Sequence, residues 1–189
     1  GVATLEGWVG VDASKEFQVT VLLAGVKLED EEAKDGSQFT GELTGWLAIE
    51  GVRDASNTRI GVGKMKVTNG MFARIPTFMR ALQLLHFTLP TSDAITTASI
   101  DLYIDGKDVH LEEIKLTGND TSVQGLVIKG SGTIEIPSFE LDVALHPRVG
   151  WPIIRQIMGA LGDQLYEVKV TGQLLDPEIP FEPLPNLNR

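Results

Sequence analysis

Alternation of apolar and other residues is clearest in the stretch Phe139-Glu140-Leu141-Asp142-Val143-Ala144-Leu145. Because successive side chains of a β-strand point to opposite faces, this pattern predicts a strand with one buried face, and Glu140 and Asp142 facing water. The same period of two continues in Phe17-Gln18-Val19-Thr20-Val21 and dominates the 189 residues. We therefore predict a single, mainly β domain built on an antiparallel sheet.

Working outward, the alternation and the turn residues divide the chain into further strands. Residues 50–58 are predicted to form a polar loop, and a strand is predicted from residue 60 to 67. Asn69-Gly70 predicts a two-residue hairpin with a short return strand at residues 71–75, because both positions tolerate positive φ. Asp105-Gly106 predicts a second hairpin. The proline-rich tail, residues 177–189, is predicted to be extended and to stay out of a sheet interior.

Two segments depart from the period of two and predict short amphipathic helices. In residues 76–86 the polar residues Arg80, Gln83 and His86 recur every three positions in an otherwise mostly apolar stretch. Residues 152–161 place apolar side chains on one helical face, and Gly162 suits a C-terminal cap. The full prediction is an α+β fold in which a curved, twisted antiparallel sheet or groove carries both helices at its concave side or end.

An excess of apolar residues in several predicted strands bears on function as well as on fold. Stretches such as residues 21–26 and 46–49 are apolar on both strand faces. A core packed from both sides is the favoured interpretation, and a groove for acyl chains is the alternative. Seven helix residues then either plug the groove, which is favoured because large exposed apolar patches are unfavourable, or contact lipid. They are Phe78, Leu82, Leu85, Ile154, Ile157, Met158 and Leu161.

Composition excludes several function classes. The net charge of −10 and the lack of a basic stripe argue against a nucleic-acid partner. The absence of cysteine removes disulfides and thiolate metal sites. The acidic cluster at Glu29, Asp30, Glu31, Glu32 and Asp35 is interpreted as a solvated loop in preference to a calcium site. No stretch reaches the ~20 apolar residues of a membrane span.

Catalytic motifs fail on inspection, which predicts a protein without enzyme activity, cofactor or metal. The histidines His86, His110 and His146 lack partners at ligand spacing. Glu135, Glu140 and Asp142 are candidates for a glycoside-hydrolase pair, but aromatic residues make up only 6% of the chain, which is little stacking surface for a sugar cleft.

The order of these features resembles the C-terminal domain of the AsmA-like proteins of Gram-negative envelopes. The resemblance covers residues 38–183, and its most specific parts are Arg74-Ile75-Pro76 at a helix start and the closing Val168-Lys169-Val170-Thr171-Gly172-Gln173-Leu174-Leu175-Asp176-Pro177. Residues 1–37 lie outside it and are interpreted as preceding strands of the same sheet. The chain opens in mid-pattern at Gly1-Val2-Ala3, which predicts a fragment of a longer protein with its targeting segment upstream.

The resemblance implies a function as well as a fold. AsmA-like proteins are anchored in the inner membrane, extend through the periplasm and are similar to bridge-like lipid transfer proteins. It implies a periplasmic domain whose partner is phospholipid acyl chains, with a role in phospholipid transport to the outer membrane or in outer-membrane maintenance. The rival hypothesis is a structural or adhesive β module without lipid. Exposed edge strands also predict possible self-association.

Overall fold

The computed structural model describes residues 1–29, 40–70, 96–118, 127–148, 168–174 and 176–178. These residues form one open antiparallel sheet of ten strands, whose spatial order is the order along the chain. The strands are β1 (Val2–Val9), β2 (Glu16–Glu29), β3 (Thr40–Val52), β4 (Ala55–Thr68), β5 (Thr97–Asp105), β6 (Asp108–Thr117), β7 (Val127–Glu135), β8 (Glu140–Arg148), β9 (Val168–Gln173) and β10 (Asp176–Glu178). The mainly β, antiparallel prediction is confirmed, and β1 and β2 are indeed preceding strands of the same sheet.

Helices are absent from the part of the chain that the structure describes. Both predicted helices, at residues 76–86 and 152–161, lie outside the described residues. The same holds for the acidic residues 30–35 and for most of the proline-rich tail. Pro177 is described, and it lies in the three-residue strand β10, which pairs with β9 alone. A proline suits such a position because it has no N–H to donate to a further strand.

The predicted polar loop at residues 50–58 is wrong. β3 continues to Val52 and β4 starts at Ala55, so the connection is the two-residue turn Arg53-Asp54. The Thr58 hydroxyl accepts a hydrogen bond from the Val52 amide (2.9 Å) and donates to the Ala55 carbonyl (2.7 Å). Polar side chains here complete the irregular hydrogen bonding at the strand ends, so their polarity did not indicate a loop.

The tight hairpin predicted at Asn69-Gly70 is also wrong. Asn69 has the expected positive φ of 54°, but β4 is hydrogen-bonded to β3 on one edge and to β5 on the other. The Gly70 amide donates to the Thr96 carbonyl at 2.9 Å, next to the start of β5. The predicted return strand, residues 71–75, lies outside the described residues. The hairpin at Asp105-Gly106 is confirmed, and Gly106 supplies its positive φ of 63°.

The alternation that predicted β8 is largely confirmed. Leu141 and Val143 are buried and Leu145 is half-buried, while Glu140 and Asp142 face water. Phe139 departs from the prediction, because it precedes the strand, has a φ of 56° and remains 51% exposed.

Candidate functional site: the apolar face of the sheet

One face of the sheet is apolar from the first strand to the last. Because residues directly opposite each other in paired strands share a face, the register defines rows that cross the sheet. The first row crosses all ten strands through Gly7, Val19, Ile49, Gly61, Ile104, Val109, Ile134, Leu141, Gly172 and Pro177. The second row is Leu5, Val21, Leu47, Gly63, Leu102, Leu111, Gly132, Val143 and Val170.

Two further rows lie on the same face. The third row is Ala3, Leu23, Gly45, Met65, Ile100, Ile114, Gly130, Leu145 and Val168. The fourth row is Val26, Leu43, Val67, Ala98, Leu116 and Ile128. None of the four rows contains a charged or hydroxyl side chain. We call the surface made by these rows the apolar face, and the opposite surface the polar face.

Glycines in β4 and β7 allow neighbouring side chains to close over those strands. A Cβ atom placed at Gly63 would lie 3.0 Å from Leu47 Cδ1 and 3.4 Å from Leu102 Cδ1. In β7, a Cβ atom at Gly132 would lie 2.9 Å from Val143 Cγ2. The aliphatic side chains of the flanking strands therefore occupy the space above the glycines, which keeps the apolar face continuous where side chains are missing.

Burial on the apolar face is uneven. The buried cluster consists of Leu111, Ile114, Leu141 and Val143 on β6 and β8, at 7–8% exposure. At the other end of the sheet, Leu5 on β1 is 71% exposed. The apolar face is thus a packed core under β6–β8 and an accessible surface at β1.

The polar face carries the ion pairs. Lys64 Nζ lies 2.8 Å from Asp101 Oδ2, and Lys129 Nζ lies 3.0 Å from Glu113 Oε1. All four side chains are 40–59% exposed, so solvent screens these pairs and each contributes little to stability. The ion pairs mainly show that charged side chains lie on the polar face, whereas the rows of the apolar face carry none.

The polar face also shows that one preferred interpretation was wrong. Leu22 and Trp46 lie opposite each other on this face and are 46% and 40% exposed. A core packed from both sides is therefore incorrect at these two positions of β2 and β3. The apolar excess of these strands lies at the surface.

A pocket of about 330 Å³ opens at the end of the sheet that holds the β1–β2, β3–β4, β5–β6 and β7–β8 turns. Its lining is mostly apolar, with two arginines. The lining residues are Val9, Phe17, Ile49, Arg53, Arg59, Ile104, Gly106 and Ile136. Val9 belongs to β1 and Ile136 follows β7, so the wall of one pocket draws on strands six places apart in the sheet order.

Carboxylates near this end are held ionised. Lys15 in the β1–β2 turn forms an ion pair with Asp54 in the β3–β4 turn, and this hydrogen bond and charge lower the pKa of Asp54 below its ordinary value of 3.8. Hydrogen bonds from the Ser14 hydroxyl and amide lower the pKa of Asp12 in the same way. Both carboxylates are exposed.

The sequence-predicted site residues fall outside the described part of the chain. They are Phe78, Leu82, Leu85, Ile154, Ile157, Met158 and Leu161. Whether they plug a groove or contact lipid stays a prediction. His86 also lies outside the described residues, whereas His110 stacks on Tyr103 on the polar face, with ring centroids 4.3 Å apart.

The candidate hydrolase carboxylates have ordinary surface partners. Asp142 pairs with Lys169 at 3.2 Å, and Glu135 accepts a hydrogen bond from the Ser138 hydroxyl at 3.3 Å. Within the described residues, no group of three or more histidine, aspartate or glutamate side chains is arranged to hold a metal ion.

Two residues of the pocket were missed by the sequence analysis. Arg53 falls in the predicted polar loop at residues 50–58, Arg59 lies between that loop and the strand predicted from residue 60, and neither belongs to a recognisable motif. Only the pairing of β3 with β4 brings both arginines to the pocket at the turn end of the sheet.

Comparisons with protein families, with curated proteins and with solved structures find no match to this chain. In the described part of the chain, no helix has the length and apolar character required to cross a membrane.

Proposed function

We propose that this chain is a non-catalytic domain of an AsmA-like envelope protein and that its apolar face holds phospholipid acyl chains. The observation that supports the proposal most strongly is the first row of the apolar face, which crosses ten strands without a charged or hydroxyl side chain. An ordinary surface sheet would present polar residues on any face that is not covered.

The physical basis of binding is simple transfer of hydrocarbon from water. Each methylene that is fully buried against the apolar face contributes ~0.8 kcal/mol, so ten methylenes contribute at most about 8 kcal/mol before ordering costs. The four rows offer no hydrogen-bonding side chain, and binding by them therefore discriminates little among acyl chains. Such a surface suits passage of many lipids better than recognition of one.

The shared pocket supports the curved groove that the sequence predicted. In a flat sheet with strands ~4.8 Å apart, the backbones of β1 and β7 would be about 29 Å apart, yet Val9 and Ile136 line the same pocket. This shared lining favours a sheet that bends toward its apolar face. Bending in that direction makes the apolar face the inside of a trough.

The cellular setting of the proposal comes from the resemblance to AsmA-like proteins. We place the domain in the periplasm, within a parent protein anchored in the inner membrane. Its role there would be phospholipid transport to the outer membrane, or maintenance of that membrane.

The proposal is tested by native mass spectrometry of the purified chain after incubation with extracted phospholipids. Leu47→Asp puts a negative charge on the apolar face of the sheet. Ala48→Asp puts the same charge at the next residue of β3, which lies on the polar face. We expect phospholipid adducts on the parent chain and on the Ala48→Asp variant, and at least a tenfold lower occupancy on the Leu47→Asp variant. Far-UV circular dichroism checks that both variants keep the sheet. A folded parent chain that carries no phospholipid contradicts the proposal.

One observation favours the rival hypothesis of a structural or adhesive module. All eight residues of β1 are exposed, and among the described strands β1 pairs with β2 alone, so its outer edge can accept another strand. In that case the chain would associate through β1 and bind no lipid. Concentration-dependent dimers in sedimentation velocity, together with lipid-free mass spectra, would support the rival.

A further inference from the structure

The strongest unexplained feature is the pair of arginines in the pocket at the turn end of the apolar face. Arg59 lies on that face, because a Cβ atom placed at Gly51 would lie 3.3 Å from Arg59 Cγ, and Gly51 pairs with Phe17 of the apolar face. Arg53 reaches the pocket from the β3–β4 turn, where its amide donates to the Lys15 carbonyl at 2.9 Å. Two arginines thus line a pocket whose other lining residues are uncharged.

We propose that Arg53 and Arg59 form a binding site for the anionic headgroup of an amphiphile whose acyl chain lies along the apolar face. This inference rests on the proposed function and adds a headgroup class to it. The shared chemistry is a phosphate or carboxylate oxygen, which the planar fork of arginine binds through paired N–H donors.

The local charge favours an anion. Acidic residues are absent from the lining of this pocket, although the whole chain has a net charge of −10. The nearest carboxylate along the chain, Asp54, is engaged by Lys15. Among the described residues, neither Arg53 nor Arg59 forms a side-chain ion pair. Arg53 attracts the Asp54 carboxylate from beyond ion-pair distance, so neither guanidinium group is held by a carboxylate and both can bind an external anion.

The rest of the lining favours an amphiphile over a free anion. Phe17, Ile49 and Ile104 line the pocket beside the arginines, and Ile49 and Ile104 belong to the first row of the apolar face. An inorganic anion would leave these side chains in contact with water. A headgroup held by the arginines would instead place its acyl chain at the start of that row, where each methylene adds to binding.

Isothermal titration calorimetry tests the site with three probes, all below their micelle concentrations. Dodecyl phosphate provides the anion and the chain, dodecyl maltoside provides the chain with a neutral headgroup, and inorganic phosphate provides the anion alone. We expect the parent chain to bind dodecyl phosphate at least about tenfold more tightly than either of the others, because charge-assisted hydrogen bonds typically contribute that much.

Variants assign the preference to the arginines. In the Arg53→Gln/Arg59→Gln chain we expect dodecyl phosphate to bind no better than dodecyl maltoside. The control Lys66→Gln/Lys115→Gln removes the same charge from exposed positions on the polar face and should retain the preference. The charge-preserving Arg53→Lys/Arg59→Lys chain should retain part of it, which excludes unfolding as the cause of a loss.

The remaining outcomes separate this inference from the proposed function. Equal affinity of the parent chain for dodecyl phosphate and dodecyl maltoside would overturn the headgroup site and leave acyl-chain binding in place. Binding of inorganic phosphate as tight as that of dodecyl phosphate would overturn the amphiphile. Absence of binding by both dodecyl probes would overturn the headgroup site and the proposed function together.

Discussion

Strands β1–β4 and strands β5–β9 present the same apolar pattern but differ in burial. Eight apolar side chains of β5–β9 are at most 8% exposed, and Ile128 is the most buried of them at 2%. Among the described side chains of β1–β4, the buried positions are the glycines Gly61 and Gly63. Alternation therefore determines which face a side chain joins, and neighbouring side chains determine whether it is covered.

The glycines of β7 explain part of the difference. Gly130 and Gly132 lie between β6 and β8, so Leu111 and Ile114 of β6 can pack against Leu141 and Val143 of β8 across the intervening strand. The cluster thereby gains contacts between strands that are not hydrogen-bonded to each other. At the β1 edge the same rows cannot make such contacts on both sides, because among the described strands β1 has β2 as its one neighbour.

The largest expected effect is on the buried cluster. Leu111→Ala removes a side chain that is 7% exposed and should lower the free energy of unfolding by about 2–5 kcal/mol. Leu5→Ala makes the same change in the second row at 71% exposure, and should cost less than about 0.5 kcal/mol. Urea unfolding followed by circular dichroism measures both. Equal losses would contradict the contrast in burial.

The second prediction compares glycines at equivalent places in the two regions. A Cβ atom at Gly132 would lie 2.2 Å from the Asp142 carbonyl oxygen and 2.6 Å from Val143 Cα, so backbone must move, and Gly132→Ala should destabilise by about 1–3 kcal/mol. At Gly63 the closest atoms are the Trp46 carbonyl oxygen at 2.9 Å and Leu47 Cδ1 at 3.0 Å. The Trp46 carbonyl oxygen must shift there, but far less than the Asp142 carbonyl oxygen at Gly132, and the flexible Leu47 side chain can yield. Alanine also reduces unfolded-state entropy, so Gly63→Ala should cost about 1 kcal/mol or less.

Urea unfolding of the two glycine variants, measured under the same conditions, decides the comparison. A larger loss for Gly63→Ala than for Gly132→Ala would mean that β4 is the more tightly packed glycine strand. That outcome would contradict the conclusion that β5–β9 are more tightly packed than β1–β4.

These contrasts mark what the sequence could predict. The period of two in residues 139–145 reflects a physical alternation of neighbours, and it therefore placed Leu141 and Val143 on the buried face. The two-residue signal at Asn69-Gly70 describes local φ preferences, which Asn69 obeys, but pairing partners are chosen by the whole sheet, and β5 occupies the edge of β4 instead. Local turn chemistry does not determine non-local pairing.

The pocket shows the same limit more clearly. Its lining joins Val9, Arg59 and Ile136, which are far apart in the chain and meet only through the strand order and the shape of the sheet. A basic residue within a polar stretch gives no sign that its strand neighbours are apolar. The apolar rows were predictable in kind from alternation, whereas the position of the two arginines beside those rows required the pairing register.

The smallest expected effect concerns how the less buried region is held together at its turns. The ion pair between Lys15 and Asp54 joins the β1–β2 and β3–β4 turns, and it lowers the pKa of Asp54 below 3.8. A carboxyl group whose pKa is lowered by folding contributes stability that is present above its unfolded pKa and is lost as the pH falls through the folded pKa.

We therefore expect Asp54→Asn to destabilise the chain slightly at neutral pH, and the difference in stability from the parent chain to vanish in acid. Because the Asp54 side chain is 60% exposed, salt should weaken the effect. A carboxyl-carbon NMR titration gives the pKa directly, and Lys15→Gln should return it toward 3.8. A pKa of Asp54 that is unchanged by Lys15→Gln would show that this pair does not join the turns in solution, and that the backbone ladder alone holds β1–β4 at this end.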